Sequence, residues 1–343
     1  MKGLNFASIG ITFKGCGSYL PAQVLSNEKI SQIVETNDEW IKTRTGISNR
    51  RIAEINENVS EMGYKAALSA MDMANWASES IDLIILATST PNDLFGSAPM
   101  IQAKLRAKNA LAFDLTAACS GFLFALITAS QYLTSGKYKR ALVIGSDQLS
   151  SYVDWQDRGS CILFGDGAGA LAIEASHDQS NLFGFDLRTD GARGSFLNLY
   201  NKNLNGKIID QIKFRKGEFS HISMNGQEVY KFAVREVPII ISDLLKKTDF
   251  DSADVDWLIL HQANQRILDA VGERLKINKD KILTNLNKYG NTSAATIPLV
   301  LDEFIRNQKI KKNDIILTSG FGAGLSWGAV SYTHLTLPTR LSV

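Results

Sequence analysis

The sequence predicts an α/β sandwich made of two similar halves, and three observations support this prediction. Several short segments are continuously apolar, helical patterns lie between them, and two motifs of the first half return in the second half. Apolar runs without alternation are typical of strands that are buried on both faces. Strands that alternate with helices favour an α/β fold.

The predicted strands are the apolar runs, and the predicted helices are the segments between them. The runs are IDLIILATS at 81–89, KRALVIGSD at 139–147, DWLILHQ at 256–262 and DIILTSG at 314–320. Polar residues recur at helical spacing in 60–76, 121–133, 227–245 and 294–305. We therefore expect the four runs to be central strands of a parallel sheet.

A weak internal repeat indicates duplication. IDLIILATSTP resembles VDWLILHQANQ, and GDGAGALAIEA resembles GFGAGLSWGAV. One such pair arises easily by chance, but two matches in the same order favour a duplicated unit. We predict halves at 1–176 and 177–331, joined by a stretch rich in Asn, Asp, Gly and Ser. The last residues, YTHLTLPTRLSV at 332–343, indicate a non-native tail, which removes His334 as a catalytic candidate.

Composition excludes several function classes. The chain has 37 basic and 35 acidic residues, which leaves no strong field for binding nucleic acid. No apolar run approaches the roughly 20 residues that cross a bilayer, and the amino terminus lacks a signal-peptide pattern. We expect a cytoplasmic protein without a membrane segment. Three cysteines, Cys16, Cys119 and Cys161, form neither a disulfide framework nor a Cys-x-x-Cys zinc motif, so no metal site is predicted.

Cys119 is the candidate nucleophile. It lies in AFDLTAACSGFLFALITASQYL, where an apolar strand-like stretch passes directly into a helical pattern. The unpaired amides at a helix N-terminus favour thiolate over thiol, so we expect a lowered pKa for this sulfur. Free cysteines are more often inert small hydrophobes, and the context must decide.

Two further segments supply polar side chains at element ends. His261 ends the buried strand DWLIL, which is how a side chain is delivered at the carboxyl edge of a sheet. Asn291 follows in YGNTSAATIP, where Tyr-Gly-Asn makes a turn and Thr-Ser can cap the next helix. Taken singly, the histidine could equally be a satisfied core residue, and the asparagine could be ordinary turn chemistry.

Taken together, the three segments resemble the beta-ketoacyl-acyl carrier protein synthase III family of the thiolase superfamily. The resemblance runs from about residue 11 to residue 331. It includes TNDEWIKTRTGISNRRI at 36–52, AACSGF around Cys119, DRGSCILFGDGAGA at 157–170, HQANQRI, YGNTSAATIP and GFGAGLSWG. An ordered set of this kind is far more specific than a lone glycine motif.

The resemblance implies a thiolase-like fold of two duplicated βαβαβαββ halves in α-β-α-β-α layers, a homodimer, and a ping-pong condensation of acetyl-CoA with malonyl-acyl carrier protein. Cys119 would carry the acyl group, and His261 with Asn291 would stabilise the malonyl enolate. Backbone amides of Cys119 and Ala323 would form a second oxyanion hole. The family usually has glycine where Ala323 stands, and alanine can serve unless the turn needs a positive φ. The CoA thioester is substrate, and no cofactor is implied.

The resemblance also implies binding residues. For CoA they are Trp40 and Arg158 around the adenine, Arg44 and Thr45 near the nucleotide end, and Gly226 and Asn264 along the pantetheine tunnel. Phe95 of a partner subunit and Phe321 would line the acyl pocket. An acidic carrier protein would dock on a local basic patch of Arg266, Lys276, Lys279 and Lys281. Each of those cations alone is as readily a solvated surface residue.

Three alternatives stay open from the sequence. A related condensing enzyme could use another primer or a CoA-bound extender, and residues near Phe95 and from Leu149 to Trp155 would decide this. A Cys-His-Asn hydrolase of papain type needs a similar trio but uses the histidine as a base. A non-enzymatic relative of the same scaffold is the third.

Overall fold

The computed structural model describes residues 9–177 and 180–334. Its first half contains seven strands, which are β1 (Gly10–Tyr19), β2 (Gln23–Ser26), β3 (Asn49–Ile52), β4 (Leu83–Ala87), β5 (Leu111–Leu115), β6 (Arg140–Gln148) and β7 (Asp166–Ser176). Its helices are α1 (Asn27–Ile30), α2 (Asp38–Thr45), α3 (Val59–Ala74), α4 (Ala98–Leu105), α5 (Gly121–Thr134) and α6 (Arg158–Cys161).

The second half repeats this plan. Its strands are β8 (Leu182–Thr189), β9 (Leu197–Asn198), β10 (Asn205–Ile209), β11 (Ile212–Arg215), β12 (Ser223–Met224), β13 (Trp257–Leu260), β14 (Ile282–Leu283), β15 (Ile315–Gly322) and β16 (Ser326–Thr333). Its helices are α7 (Gly226–Lys247), α8 (Gln265–Leu275), α9 (Leu286–Tyr289) and α10 (Thr296–Arg306). Short 3₁₀ turns cover Ser78–Ser80, Ala118–Ser120, Leu149–Tyr152, Gly191–Phe196, Lys279–Lys281 and Ser293–Ala295.

Two five-stranded sheets have the same strand order, which confirms the predicted thiolase-like architecture. The first sheet runs β1-β7-β6-β4-β5, and the second runs β8-β16-β15-β13-β14. In both sheets the second, third and fourth strands along the chain are parallel, and the fifth strand is antiparallel to both of its neighbours, the first and the fourth. The motifs that repeat in the sequence fall on equivalent strands, β4 with β13 and β7 with β16.

The expectation of a parallel sheet was therefore only half right. The four apolar runs are central strands as predicted. Each sheet is nevertheless mixed, because β7 runs antiparallel to β6 and β16 runs antiparallel to β15. Antiparallel strands can follow each other through a short turn, without a crossover helix. The sequence GFGAGLSWG makes this turn between β15 and β16.

The two sheets enclose a helical layer that carries the centre of the core. Helices α5 and α10 lie between the sheets, where a cluster including Phe122, Leu126 and Val300 is fully buried. Helix α3 covers the outer face of the first sheet, and α7 with α8 covers that of the second. A helix between two sheets is apolar on several sides, as α5 is. The five layers follow from these contacts.

The end of the second sheet extends into the segment that the sequence assigned to a tail. Tyr332 and Thr333 belong to β16, and the Tyr332 ring stacks on Phe13 at a centroid distance of 4.3 Å. The His334 backbone exchanges hydrogen bonds with Asn313 and Asp314. The second half as folded therefore extends to His334, and the rest of the predicted tail, 335–343, lies outside the described residues.

Among the described residues, no helix is both long and apolar enough to cross a membrane.

Candidate active site

Cys119 lies in a short turn between a strand and a helix, as the sequence predicts. The turn Ala118–Ser120 follows β5 and leads directly into α5. Ala118 has φ 47°, a left-handed conformation that is uncommon for a residue with a side chain. Such conformations persist where the surroundings fix them, which is frequent at functional sites. Cys119 itself is 6% exposed and lines a cavity of about 890 Å³.

The expected thiolate is not what the structure supports. Burial, with a smaller contribution from the nearby Asp147 carboxyl, raises the pKa of Cys119 to about 12 against the lowering effect of a hydrogen bond with Ser293. Desolvation disfavours the charged form, and here it outweighs the amides at the start of α5. The prediction of a lowered pKa was therefore wrong, and Cys119 is a thiol at neutral pH.

His261 directly follows β13 and is a neutral imidazole. Its backbone N–H donates to Ser319 O at 2.8 Å, which continues the pairing of β13 with β15. The side chain is 2% exposed, and burial lowers its pKa to about 3. The ring meets Phe321 edge to face at 5.3 Å, and Nδ1 lies 2.8 Å from Thr296 Oγ1.

Asn291 sits in the turn between α9 and the 3₁₀ turn Ser293–Ala295. Its backbone N–H donates to Leu163 O at 2.9 Å, and its backbone oxygen accepts from Gly165 N–H, so that the two halves pair at this point. Its side-chain Oδ1 accepts from Ser293 N–H at 2.9 Å. Because Ser293 N–H uses the amide oxygen, the Nδ2 group is the donor that Asn291 can offer to a ligand.

Ser293 connects the three candidate residues. Its N–H holds Asn291, its side chain hydrogen-bonds Cys119, and its carbonyl accepts the backbone N–H of Thr296, whose hydroxyl contacts His261. Ser293 also has a left-handed φ of 53°. The three segments are therefore joined through one turn. Cys119 and Ser293 line the cavity, whereas His261 and Asn291 are not part of its lining.

A buried carboxyl that the sequence analysis missed supports this turn. Asp147, at the end of β6, is fully buried and accepts hydrogen bonds from Ser89 N–H, Thr90 Oγ1 and Ala294 N–H at 2.7 Å, 3.1 Å and 3.2 Å. Burial raises its pKa, and these bonds oppose the rise. It thereby joins the first half to the turn at Ser293. An Asp that ends an apolar strand, as in LVIGSD, is the signal that could have revealed it.

Two glycines allow the backbones around the nucleophile to approach closely. A Cβ on Gly322 would lie 2.6 Å from the Cys119 nitrogen, and one on Gly145 would lie 2.3 Å from the Ala294 oxygen. Ala323 follows Gly322, lines the cavity with Cys119, and does not have a positive φ. Alanine therefore fits this turn without backbone strain, which meets the condition set by the sequence analysis.

The remaining cavity lining includes Leu149 and Tyr152 of the segment that was expected to shape the pocket. Phe95 also lines it, although its side chain is 99% exposed in the single subunit. Phe321, expected in the acyl pocket, is instead packed against His261 and does not line the cavity.

The expected nucleotide-binding residues lie around α2 and α6. The Arg158 guanidinium stands 4.8 Å from the Trp40 ring centroid, and Arg44 stands 5.9 Å from it. Arg158 is exposed and also donates to the Glu35 carbonyl. At 4.8 Å there is no room for a base between Arg158 and Trp40, so Arg158 has to swing outward for a sandwich to form.

Of the other expected CoA contacts, Thr45 is the least suited. It is 2% exposed, and its hydroxyl is used within the chain, donating to Ile41 O and accepting from Ile47 N–H. Asn264 caps α8 and donates to Arg44 O at 3.0 Å, which ties α8 to α2. Gly226, the first residue of α7, is exposed, and a Cβ there would make ordinary contact with the end of the Met224 side chain at 3.7 Å.

The expected basic patch is not one compact surface. Arg266 and Lys276 stand at opposite ends of α8, about 15 Å apart at 1.5 Å per residue. Lys279 pairs with Asp269 at 3.5 Å, and Lys281 donates to the Val255 carbonyl at 2.7 Å. Arg266 is thus separated from the three lysines.

Among the described residues, no group of three His, Cys, Asp or Glu side chains could hold a metal ion, and the three cysteines are free and buried.

Comparisons with known proteins agree on one family. A family model described as 3-oxoacyl-[acyl-carrier-protein (ACP)] synthase III matches residues 113–191, and the model of its C-terminal part matches residues 245–334. A beta-ketoacyl-[acyl-carrier-protein] synthase III of Prochlorococcus marinus (strain MIT 9301) is 71% identical over 329 residues, which cover 96% of this chain and 98% of that protein.

Solved structures give the same result. The chain is similar to the 3-oxoacyl-[acyl-carrier-protein] synthase III of Aquifex aeolicus VF5, with 43% identity, a TM-score of 0.87 and coverage of 95% of this chain and 100% of that one. The corresponding protein of Pseudomonas aeruginosa PAO1 is 33% identical, with a TM-score of 0.87 and coverage of 96% and 99%.

Proposed function

The chain belongs to the beta-ketoacyl-[acyl-carrier-protein] synthase III family, and from this premise we propose that Cys119, His261 and Asn291 form its catalytic set. The enzyme condenses an acyl-CoA with malonyl-acyl carrier protein and so initiates fatty acid synthesis. One observation supports the residue assignment above the others. The turn at Ser293 hydrogen-bonds Cys119 and Asn291 directly and reaches His261 through Thr296.

In the first half-reaction, Cys119 attacks the carbonyl carbon of the acyl-CoA. A bond forms between Sγ and this carbon, the bond to the CoA sulfur breaks, and the thiol proton leaves with the CoA thiol. The carbonyl oxygen becomes negative in the tetrahedral adduct. The backbone N–H groups of Cys119 and Ala323, which line the same cavity, are the proposed donors to it. Removing one such donor typically costs about 3 kcal/mol of transition-state stabilisation.

In the second half-reaction, the malonyl group loses carbon dioxide. The bond to the carboxylate carbon breaks, and its electrons pass into an enolate whose charge rests on the thioester oxygen. A neutral His261 and the Asn291 Nδ2 group are the proposed donors to this oxygen. The enolate carbon then attacks the acyl-cysteine, and Cys119 leaves as the thiolate and takes up a proton from solvent. A protonated His261 is not needed, which fits its burial.

For the CoA arm, we propose that the adenine binds between Trp40 and Arg158 once Arg158 has moved outward, with Arg44 beside it. An exposed guanidinium on an aromatic ring forms a planar stacking surface. Asn264 and Gly226 are proposed to border the pantetheine path, and Thr45 contributes only through the backbone it fixes.

The partner assignments rest on exposure and charge. Phe95, almost fully exposed at the cavity, is proposed to enter the pocket of a second copy of the chain in a homodimer. Arg266 is proposed as the main contact for the acidic carrier protein, and Lys276, Lys279 and Lys281 as a separate surface that raises the association rate. Acetyl-CoA is the proposed primer, and the cytoplasm the proposed location.

Mass spectrometry of the protein mixed with acetyl-CoA tests the assignment. We expect a mass increase of one acetyl group that is lost in Cys119→Ala. His261→Ala and Asn291→Ala should still be acetylated but release carbon dioxide from malonyl-acyl carrier protein very slowly. An acetyl adduct that survives in Cys119→Ala, or peptide cleavage without decarboxylation, would overturn the assignment. Parallel reactions with longer and branched acyl-CoA determine the primer.

A further inference from the structure

The protonation pattern of His261 decides whether it can act as proposed. A neutral imidazole has one ring N–H, so one nitrogen donates and the other accepts. To hold a developing enolate, Nε2 must carry the proton, and Nδ1 must then accept a hydrogen bond. Among residues 9–177 and 180–334, no protein group hydrogen-bonds Nε2, which leaves this nitrogen for the substrate.

The partner of Nδ1 is the hydroxyl of Thr296, at 2.8 Å. This hydroxyl has a single proton and two acceptors within reach, because Ser293 O lies 3.0 Å away. Ser293 O already accepts the backbone N–H of Thr296. It is therefore satisfied without the hydroxyl, whereas Nδ1 has no other donor among the described residues. The hydroxyl proton is therefore needed for a hydrogen bond to Nδ1 and not for one to Ser293 O.

We propose that Thr296 is a positioning residue that sets the tautomer of His261, donating its hydroxyl proton to Nδ1 and so keeping the ring proton on Nε2. In the opposite arrangement, the hydroxyl turns to Ser293 O and Nδ1–H donates to Oγ1. Nε2 then presents a lone pair, which repels an enolate oxygen. This proposal rests on the proposed function of His261, which it extends by one residue.

The same contact fixes the ring in position. Phe321 meets the imidazole edge to face, with an angle of 79° between the planes, and Thr296 holds it at Nδ1. Thr296 is itself 2% exposed and begins α10, so its position is fixed by the helix. Partners that orient a metal-binding histidine are worth about 10-fold to 100-fold in activity, and we expect a similar factor for Thr296.

Nitrogen NMR of the resting enzyme tests the tautomer directly. With ¹⁵N-labelled histidine, we expect His261 to show a protonated Nε2 and a Nδ1 that is unprotonated and hydrogen-bonded. The chain has 4 histidines, and the signal that disappears in His261→Gln identifies the right one.

Thr296→Ser should keep this pattern of protonation and hydrogen bonding. Thr296→Val should move the Nδ1 resonance to the position of a nitrogen without a hydrogen bond. A wild-type proton on Nδ1 would overturn the proposal.

Kinetics separate this role from a merely structural one. Thr296→Val should lower kcat for malonyl decarboxylation about 10-fold to 100-fold, with KM and acetylation of Cys119 little changed, and Thr296→Ser should restore most of the rate. Equal loss of acetylation and decarboxylation, or no loss, would contradict it. If the wild-type enzyme itself released no carbon dioxide, the proposed function would fail instead, so the two failures are distinguishable.

Discussion

At the scale of single residues, the chemistry depends on neighbours that are distant in the sequence. The local pattern around Cys119 placed it correctly before a helix, but the sign of its pKa shift could not be obtained from that pattern. Asp147 and Ser293, which lie far from Cys119 along the chain, contribute to it, and burial dominates. Desolvation is a property of the assembled fold, so sequence reasoning identified the residue and missed its protonation state.

A raised pKa makes the reactivity of Cys119 strongly dependent on pH. Because the thiolate is the reactive form and the pKa is about 12, we expect the rate of alkylation by iodoacetamide to rise about tenfold per pH unit from pH 7 to pH 10, without a plateau. Labelling followed by peptide mass spectrometry measures it, and Cys119→Ala gives the background from Cys16 and Cys161. A plateau near pH 8 would instead indicate the helix-activated thiolate.

The neutral state of His261 gives a second prediction. Its pKa is lowered to about 3, so the imidazole stays uncharged at every pH above about 4. We therefore expect decarboxylation of malonyl-acyl carrier protein by Cys119→Ala, in which no acylation occurs, to be flat between pH 5 and pH 8. Carbon dioxide release measures this rate. An inflection near the ordinary histidine pKa would show that a protonated imidazole takes part.

At the scale of elements, the sequence was most informative where burial is complete. The continuous apolar runs became β4, β6, β13 and β15, because strands covered on both faces must be apolar throughout. Strand β8 has no continuous apolar run that would fix its bounds, since it alternates between exposed and partly buried residues. The antiparallel return strands depend on turns, which a hydrophobic pattern does not reveal.

The close approach of β6 to the turn at Ser293 can be tested by adding one carbon. Gly145→Ala places a Cβ against the Ala294 carbonyl, and overpacking of this kind typically costs about 1–3 kcal/mol in the free energy of unfolding. Because the same turn holds Asn291, we expect decarboxylation to slow as well. Urea denaturation and carbon dioxide release measure the two effects.

A matched control is Gly217→Ala, since a Cβ at Gly217 meets no atom within 4 Å. This variant should unfold and react like the wild type. If Gly145→Ala were equally silent, the tight packing between β6 and the turn would not matter for the position of Asn291.

At the scale of the whole molecule, buried histidines make the fold sensitive to acid. Burial lowers the pKa of His334 to about 4, so between pH 6.5 and pH 4 the unfolded chain binds a proton that the folded chain does not. Stability is therefore present above pH 6.5 and falls as the pH drops, by about 3 kcal/mol for this group. His261 adds to the loss.

Urea denaturation at pH 7 and pH 4.5 measures this effect. We expect His334→Gln to show a smaller difference between the two pH values than the wild type. His221→Gln, at an exposed position, serves as the control and should behave like the wild type. Equal pH dependence in all three proteins would exclude His334 as a source of acid sensitivity.

The two sheets have matching strand orders, but their third strands lead to different functional groups. Cys119 follows the third strand of the first sheet, β5, and Asn291 follows the third strand of the second, β14. The first half therefore supplies the attacking group, and the second half supplies a group that stabilises charge. Either half produced alone would hold only one of these two groups.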